Sequence, residues 1–164
     1  MRSRCIASLC ALLLAGGAHS QTFPDRPVNM IVAFPAGGAT DQMARLLAQR
    51  MSEQWGQNVV VINRAGAGGN IGAESVARAA PDGTTLLIGT TALAISPSLY
   101  KKLAYDVTRD LAPVTTLTTS PNVLVIHPSI PAKSVRDLIA IAQRRPGALI
   151  SASAGPGTSN HMAF

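Results

Sequence analysis

Val28-Asn29-Met30-Ile31-Val32-Ala33-Phe34 runs without a break into Pro35-Ala36-Gly37-Gly38-Ala39-Thr40-Asp41. The first seven residues are short, almost continuously apolar and partly β-branched, the pattern of a strand buried on both faces. The next seven turn to proline, glycine and oxygen-bearing side chains, and from Thr40 onward the apolar residues recur at helical spacing. A buried strand that passes through a glycine turn into a helix start presents backbone amides, and the positive end of the helix, at one place. Such a place holds a carboxylate or phosphate with no reactive side chain.

Outward from this stretch, Met43, Leu46, Leu47, Met51 and Trp55 share one predicted helix face, and Gly56 ends the helix. Thr40 or Asp41 is suited to cap its start by accepting a bond from an unpaired amide. Asp41 has a second reading, as a direct or water-mediated ligand contact. A free carboxylate would repel an anion, so its charge must be absorbed by amides or met by a donor on the ligand. Asn58 to Ile62 reads as a second strand, 63–69 as a second glycine-polar turn, and 70–80 as a helix with Ile71, Val76, Ala77 and Ala80 on its apolar side. Pro81-Asp82-Gly83 is a turn and Thr85 to Ile88 a third strand. Three strands alternating with two helices predict a parallel sheet covered on both faces.

Farther along, Thr90 to Ser96 reads as a loop, 97–100 as a helical turn, 105–110 as a surface connection and 113–119 as a strand-like crossover. Asn122 to His127 and Ala148 to Ser151 carry strand patterns. Ser134 followed by Asp137 is a capping-box pattern, opening a helix whose inward residues are Val135, Leu138, Ile139 and Ala142. A third glycine-polar turn spans 153–160. The helix beginning at His161-Met162-Ala163-Phe164 has no stop signal, which reads as a fragment of a longer protein. Strand, glycine-polar turn and helix thus occur three times. Loops leaving the carboxyl ends of parallel strands line the ligand crevice of open α/β sheets. The first two turns belong to one lobe and the third faces them from the next, the anatomy of a hinged cleft.

The ends and the composition bound the chemistry. Arg2 and Arg4 precede the apolar run Ile6 to Ala15, and small residues follow at 16–20. This reads as a secretory leader cleaved after Ser20, too short to span a bilayer. Both cysteines, Cys5 and Cys10, leave with it, so a mature chain from Gln21 carries no disulfide, thiolate nucleophile or Cys-based metal site. Removing Arg2 and Arg4 from the 14 basic residues leaves 12 against 8 acidic ones, a net +4. The basic residues are scattered and few aromatics interleave them, so no nucleic-acid surface is expected. The serine-elbow, phosphate-loop and His-Glu-x-x-His motifs are missing. His127 precedes a proline at a strand end and reads as structural or exposed. His161, beyond the third turn, is placed to line a site by a hydrogen bond. Gly66-Ala67-Gly68-Gly69-Asn70-Ile71-Gly72 superficially matches a dinucleotide fingerprint. No acidic residue follows at the next strand end, and the favoured reading is a tight turn that lets a helix pack close to the sheet. No cofactor or metal is expected. The hydroxyls of Thr40, Thr90, Thr91, Thr158 and Ser159, with Asn70 in the second turn, suit an oxygen-rich small acid or else cap and fill turns.

These residues resemble the extracytoplasmic solute receptors of tripartite tricarboxylate transporters. The resemblance rests on Pro24-Asp25-Arg26-Pro27-Val28, Phe34 to Asp41, Asn63 to Gly72, Tyr105-Asp106 through Pro113-Val114, and Gly155-Pro156-Gly157-Thr158-Ser159-Asn160-His161. It implies a type II periplasmic-binding-protein fold, two α/β lobes joined by crossover strands that close over a small ligand. In domain terms it implies a leader at 1–20, a first lobe with crossover at 21–119 and an incomplete second lobe from 120. It also implies a non-enzymatic, monomeric periplasmic receptor for a di- or tricarboxylate, amino acid or aromatic acid, working with the membrane permease subunits of such a transporter. A ligand-sensing protein without a dedicated permease, and a secreted α/β enzyme, are the alternatives. Carried over by the resemblance, the carboxylate-reading loop falls on Ala36, Gly37, Gly38, Thr40 and Asp41. The opposing loop falls on Gly155, Thr158, Ser159 and His161, with Met162 where leucine is common.

Overall fold

The computed structural model describes residues 22–163. The expected leader and its cleavage site lie outside these residues. The opening apolar run forms β1 (Val28–Val32), shorter than its hydrophobic pattern because the chain leaves the sheet at Ala33. β1 is the middle of a three-stranded parallel sheet in the order β2-β1-β3, with β2 at Val59–Asn63 and β3 at Thr85–Ile88. Val28 lies opposite Val59 and Val32 opposite Asn63 on one side, and Met30 opposite Leu86 and Val32 opposite Ile88 on the other. The central place explains the composition of β1: Val28, Met30, Ile31 and Val32 are all buried, as a strand covered on both faces requires.

Two helices make the crossovers. α1 (Ala39–Trp55) joins β1 to β2, and its Ala44 and Ala48 pack with Met30, Val32 and Ile88 in the core. The expected helix face is met in part: Leu47 and Met51 pack against this core, but Leu46 is exposed and Met43 borders on it, and the fully buried residues are Asp41, Ala44 and Ala48. Alanines one turn apart let the helix axis come close to the sheet, so the large residues are left to its flanks. α1 ends at Gly56, whose N–H donates to the Ser52 carbonyl, and Ser52 Oγ accepts from the Val59 amide, tying the helix end to the start of β2.

α2 (Asn70–Ala77) follows a single 3-10 turn at Ala67–Gly69. It packs against the end of β1: a β-carbon placed on Gly72 would lie 2.8 Å from both Cα and Cβ of Ala33 and 3.0 Å from the Arg64 carbonyl oxygen. The tight-turn reading of 66–72 therefore has its geometric reason in Gly72. Alternation along β1 places Ala33 on the face opposite Met30 and Val32, so α1 and α2 cover opposite faces of the sheet.

Beyond β3 the chain departs from expectation in three places. Residues read as a loop at 90–96 instead begin α3 (Ala92–Leu99), which contains Pro97 in its last turn. Ala92-Leu93-Ala94-Ile95 is uniformly apolar and gives no period, and the proline reads as a breaker. Pro97 removes the one intrahelical bond that would run to the Leu93 carbonyl, and the helix ends two residues later. The strand patterns at 113–119, 122–127 and 148–151 form no ladder in the described residues, and Val114, Val125 and Ile150 are more than 80 % exposed. β-Propensity alone does not make a strand without a neighbouring edge to pair with. The helix opened by Ser134 does form, as α4 (Val135–Arg144). Its cap matches the pattern, with Ser134 Oγ accepting from the Asp137 amide at 3.2 Å. Its expected inward side is not buried: Val135, Ile139 and Ala142 are exposed. A short helix, α5 (Ser159–Met162), follows the third glycine turn.

Candidate functional site

Because the strands are parallel, the loops after β1, β2 and β3 leave the sheet at one edge. The first loop, residues 33–38, carries the strongest expectation. Ala36, Gly37 and Gly38 are exposed there, and Gly37 has the left-handed backbone (φ +85°) that glycine adopts without strain. The first intrahelical bond of α1 runs from the Gln42 amide to the Gly38 carbonyl. The amides of Ala39, Thr40 and Asp41 precede it and have no intrahelical acceptor.

Neither Thr40 nor Asp41 is the cap. Gly38 occupies the N-cap position with extended backbone, and no side chain bonds to the helix from it. Asp41 is the third helical residue, too far along to cap, and its carboxylate reaches back out of the helix. Oδ2 accepts from the Gly37 amide at 2.8 Å and from Arg45 Nε at 2.9 Å, and Oδ1 accepts from Asn63 Nδ2 at 2.9 Å. The side chain is 3 % exposed. The Arg45 guanidinium first, then the Gly37 and Asn63 donors, hold its carboxyl down at about 2, against the upward push of burial. The charge that would have repelled an anion is therefore absorbed by three donors. Asn63 also donates to the Phe34 carbonyl at 3.1 Å and accepts from Arg45 Nη2 at 3.2 Å. Sequence reasoning missed Arg45 and Asn63. The four-residue spacing of Asp41 and Arg45 was an available signal. Asn63 needed the register that sets it beside Val32.

The second turn is held by its own residues. Asn70 is buried; its Nδ2 donates to the Ala67 carbonyl at 2.8 Å, and its Oδ1 accepts from the Tyr105 hydroxyl at 2.7 Å. Tyr105, in the stretch expected to be a surface connection, is buried, and that burial pushes its phenol upward so that it stays a donor. At the end of β3, Thr90 Oγ1 accepts from the Ala92 amide at 3.3 Å, while Thr91 is exposed. Between these turns lies a shallow, solvent-open depression with room for little more than a water molecule, lined by Phe34, Leu87, Leu93, Asn70 and Thr90 among others. Phe34, Leu87 and Leu93 were not foreseen as site residues.

The third turn meets the second. A β-carbon on Gly68 would collide with the Pro156 carbonyl oxygen, and one on Gly157 would lie 3.0 Å from Leu99 Cδ2. Thr158 is buried and its Oγ1 donates to the Gly155 carbonyl at 2.6 Å, and Ser159 Oγ donates to Asn122 Oδ1 at 3.3 Å. His161 is exposed, with its amide on the Thr158 carbonyl at 3.0 Å. Among the described residues no hydrogen bond joins the third turn to the first loop. The structure thus brings the second and third turns together and leaves the first loop open.

The sequence profile of the tripartite tricarboxylate transporter family receptors matches residues 43–164. The chain belongs to that family. A relative encoded in the tcbD-tcbE intergenic region of Pseudomonas sp. (strain P51) is 41 % identical over 165 residues. That alignment takes in 99 % of this chain and 49 % of the relative, so it includes the first loop, which precedes the profile match. Rpa4515 of R. palustris, solved with adipate, superposes with a TM-score of 0.79 at 40 % identity, over 86 % of this chain and 48 % of that one. MatC from Rhodopseudomonas palustris, solved with bound malate, gives 0.65 at 39 % identity, over 74 % and 42 %. The chain spans about half the length of the curated relatives it matches. The likeness establishes a type II periplasmic-binding-protein architecture for this family member, present here in part.

Proposed function

We propose that this chain is the amino-terminal part of a periplasmic receptor that captures a small carboxylate and delivers it to the permease of a tripartite tricarboxylate transporter, without chemical turnover. The observation that carries the reading is the first loop. It has exposed glycines, helix-start amides without intrahelical acceptors, and a neighbouring carboxylate whose charge is already met by Arg45, Gly37 and Asn63. Family membership and the adipate and malate bound by two similar proteins support a carboxylate as the occupant. Ala36, Gly38 and Thr40 contribute the anion-facing side. Gly155, Thr158, Ser159 and His161 contribute the opposing side, and Thr90 and Thr91 extend the hydroxyl lining. Asn70 and Gly37 hold the turns that carry these groups. In domain terms residues 21–119 form the first lobe with its crossover, and 120–164 begin the second.

Ligand binding favours closure of such a cleft only through a higher affinity for the closed state. The test is calorimetry on the full-length protein against adipate, malate, a neutral sugar and a sugar phosphate. Saturable binding of a carboxylate, with the ligand recovered unchanged, is expected. Turnover of the ligand, or binding confined to the neutral or phosphorylated compounds, refutes the reading.

A further inference from the structure

The hydrogen bonds around Asp41 close on the first loop from three directions. Asn63 Nδ2 holds the Phe34 carbonyl at the start of the loop, Asp41 Oδ2 holds the Gly37 amide at its middle, and Asp41 itself is fixed to the first turn of α1 at its end. Asn63 is the last residue of β2, so the cluster ties the loop to the neighbouring strand, and Arg45 bridges Asp41 and Asn63 from the outside. We propose that Asp41, Asn63 and Arg45 are positioning residues that set the shape of the carboxylate-reading loop, with Asp41 holding the loop rather than touching the ligand. This rests on the proposed binding function of that loop.

The assignment follows from donor and acceptor accounting. Both Asp41 oxygens are engaged, and the side chain is almost fully buried. The Gly37 amide is spoken for by Asp41, which leaves the amides at the start of α1 as the free donors. Gly37 and Gly38 have open space around them: a β-carbon on Gly37 would meet nothing within 4 Å, and one on Gly38 would meet only the Pro35 carbonyl at 3.6 Å. Packing therefore does not hold the tip of the loop; polar contacts restrain it, those of the cluster and a longer bond from Gln42 Nε2 to the Gly37 carbonyl at 3.3 Å. A loop ordered before the ligand arrives binds more tightly, because the ordering is not charged against association.

Asp41→Asn keeps the shape and breaks the pattern. The new amide NH₂ must face either Asn63 Nδ2 or the Gly37 and Arg45 donors, donor against donor. Asn63→Leu removes the tie to Phe34 and Asp41 together. Arg45→Met changes a half-exposed residue and serves as the variant least able to disturb folding. In the full-length protein, with adipate and malate as probes, Asp41→Asn and Asn63→Leu are expected to weaken binding by about tenfold or more. Arg45→Met is expected to weaken it several-fold. These losses should hold at temperatures well below each variant's melting point. In the unliganded protein the Gly37 amide should exchange with solvent faster in Asp41→Asn. Affinity within twofold of the parent in both Asp41→Asn and Asn63→Leu overturns the proposal, as does unchanged exchange at Gly37. Loss of affinity in Asp41→Asn alone, with Asn63→Leu and Arg45→Met unaffected, makes Asp41 a ligand contact and also overturns it. If the parent protein binds neither probe nor any other carboxylate, the receptor reading fails instead. The Gly37 exchange, which needs no ligand, still decides whether the cluster holds the loop.

Discussion

Gly72→Ala sets two effects of opposite sign against each other, and the structure decides between them. Gly72 lies in the first turn of α2 with no unusual backbone angle, so alanine there gains helix propensity, at most about 1 kcal/mol and less near a terminus. Against this, the added methyl would lie 2.8 Å from Ala33 Cα, 2.8 Å from Ala33 Cβ and 3.0 Å from the Arg64 carbonyl oxygen. Two of those three atoms belong to backbone, Ala33 just past β1 and Arg64 just past β2, and no rotamer change relieves them. The helix must move off the sheet by several tenths of an ångström, an overpacking penalty of roughly 1–3 kcal/mol. The net expectation is a destabilisation of about 1–2 kcal/mol. That is a fall of a few degrees in melting temperature and a matching shift in urea midpoint for the full-length protein. Ala33→Gly in the same chain should restore little, since it removes one contact of the three. Gly38→Ala, where the only neighbour is a carbonyl at 3.6 Å, is the matched control and should change stability little. A Gly72→Ala protein as stable as its parent, or more so, would refute the close packing of α2 against the end of β1.

The Asp41 cluster carries a pH signature. Its carboxyl sits at about 2 in the folded protein against an ordinary value of 3.8. Its contribution to stability is therefore complete above about pH 4 to 5 and is lost as pH falls from there toward 2. Urea midpoints measured from pH 6 down to pH 2 should show the parent's lead over Asp41→Asn shrinking across that interval; a constant difference sinks the account. Tyr105→Phe deletes the buried hydroxyl that donates to Asn70 Oδ1 at 2.7 Å. The half-unpaired amide left behind is expected to lower stability by about 1–3 kcal/mol. An unaltered denaturation midpoint would show that the second turn does not depend on this bond.

How much of the fold could be read in advance depended on whether a segment's partners lie nearby in the sequence. β1, β2 and β3 were placed to within two residues because each apolar run is bounded by a turn with its own chemistry: Pro35 to Gly38, Asn63 to Gly69, Pro81 to Gly83. Helix α1 was placed well, but its buried face only in part. Leu47 and Met51 do pack against the core, but Met43 and Leu46 outweigh Ala44 and Ala48 in any hydrophobicity count, and it is the alanines that are fully buried against Met30 and Val32. Helix α3 was missed because an all-apolar stretch has no period. The segments at 113–119, 122–127 and 148–151 fail for another reason. Their side-chain pattern is strand-like, but a strand is a relation between two segments, and the described residues hold no partner for them.

The site divides in the same way. A glycine turn after a buried strand is a local signal, so the first loop could be found from Val28 to Asp41 alone. The role of Asp41 could not, because it depends on one neighbour within the helix and one across the sheet. Arg45 follows four residues later and belongs to a familiar helical pairing. Asn63 is 22 residues away and reaches Asp41 only because β2 ends opposite Val32. Slipping that register by one residue would turn Asn63 to the other face of the sheet, leaving the Asp41 carboxylate one donor short and the Phe34 carbonyl without its tie. An acidic residue at the mouth of an anion site is thus intelligible only through sheet register, which makes the β1–β2 pairing as much a determinant of the loop as the glycines within it.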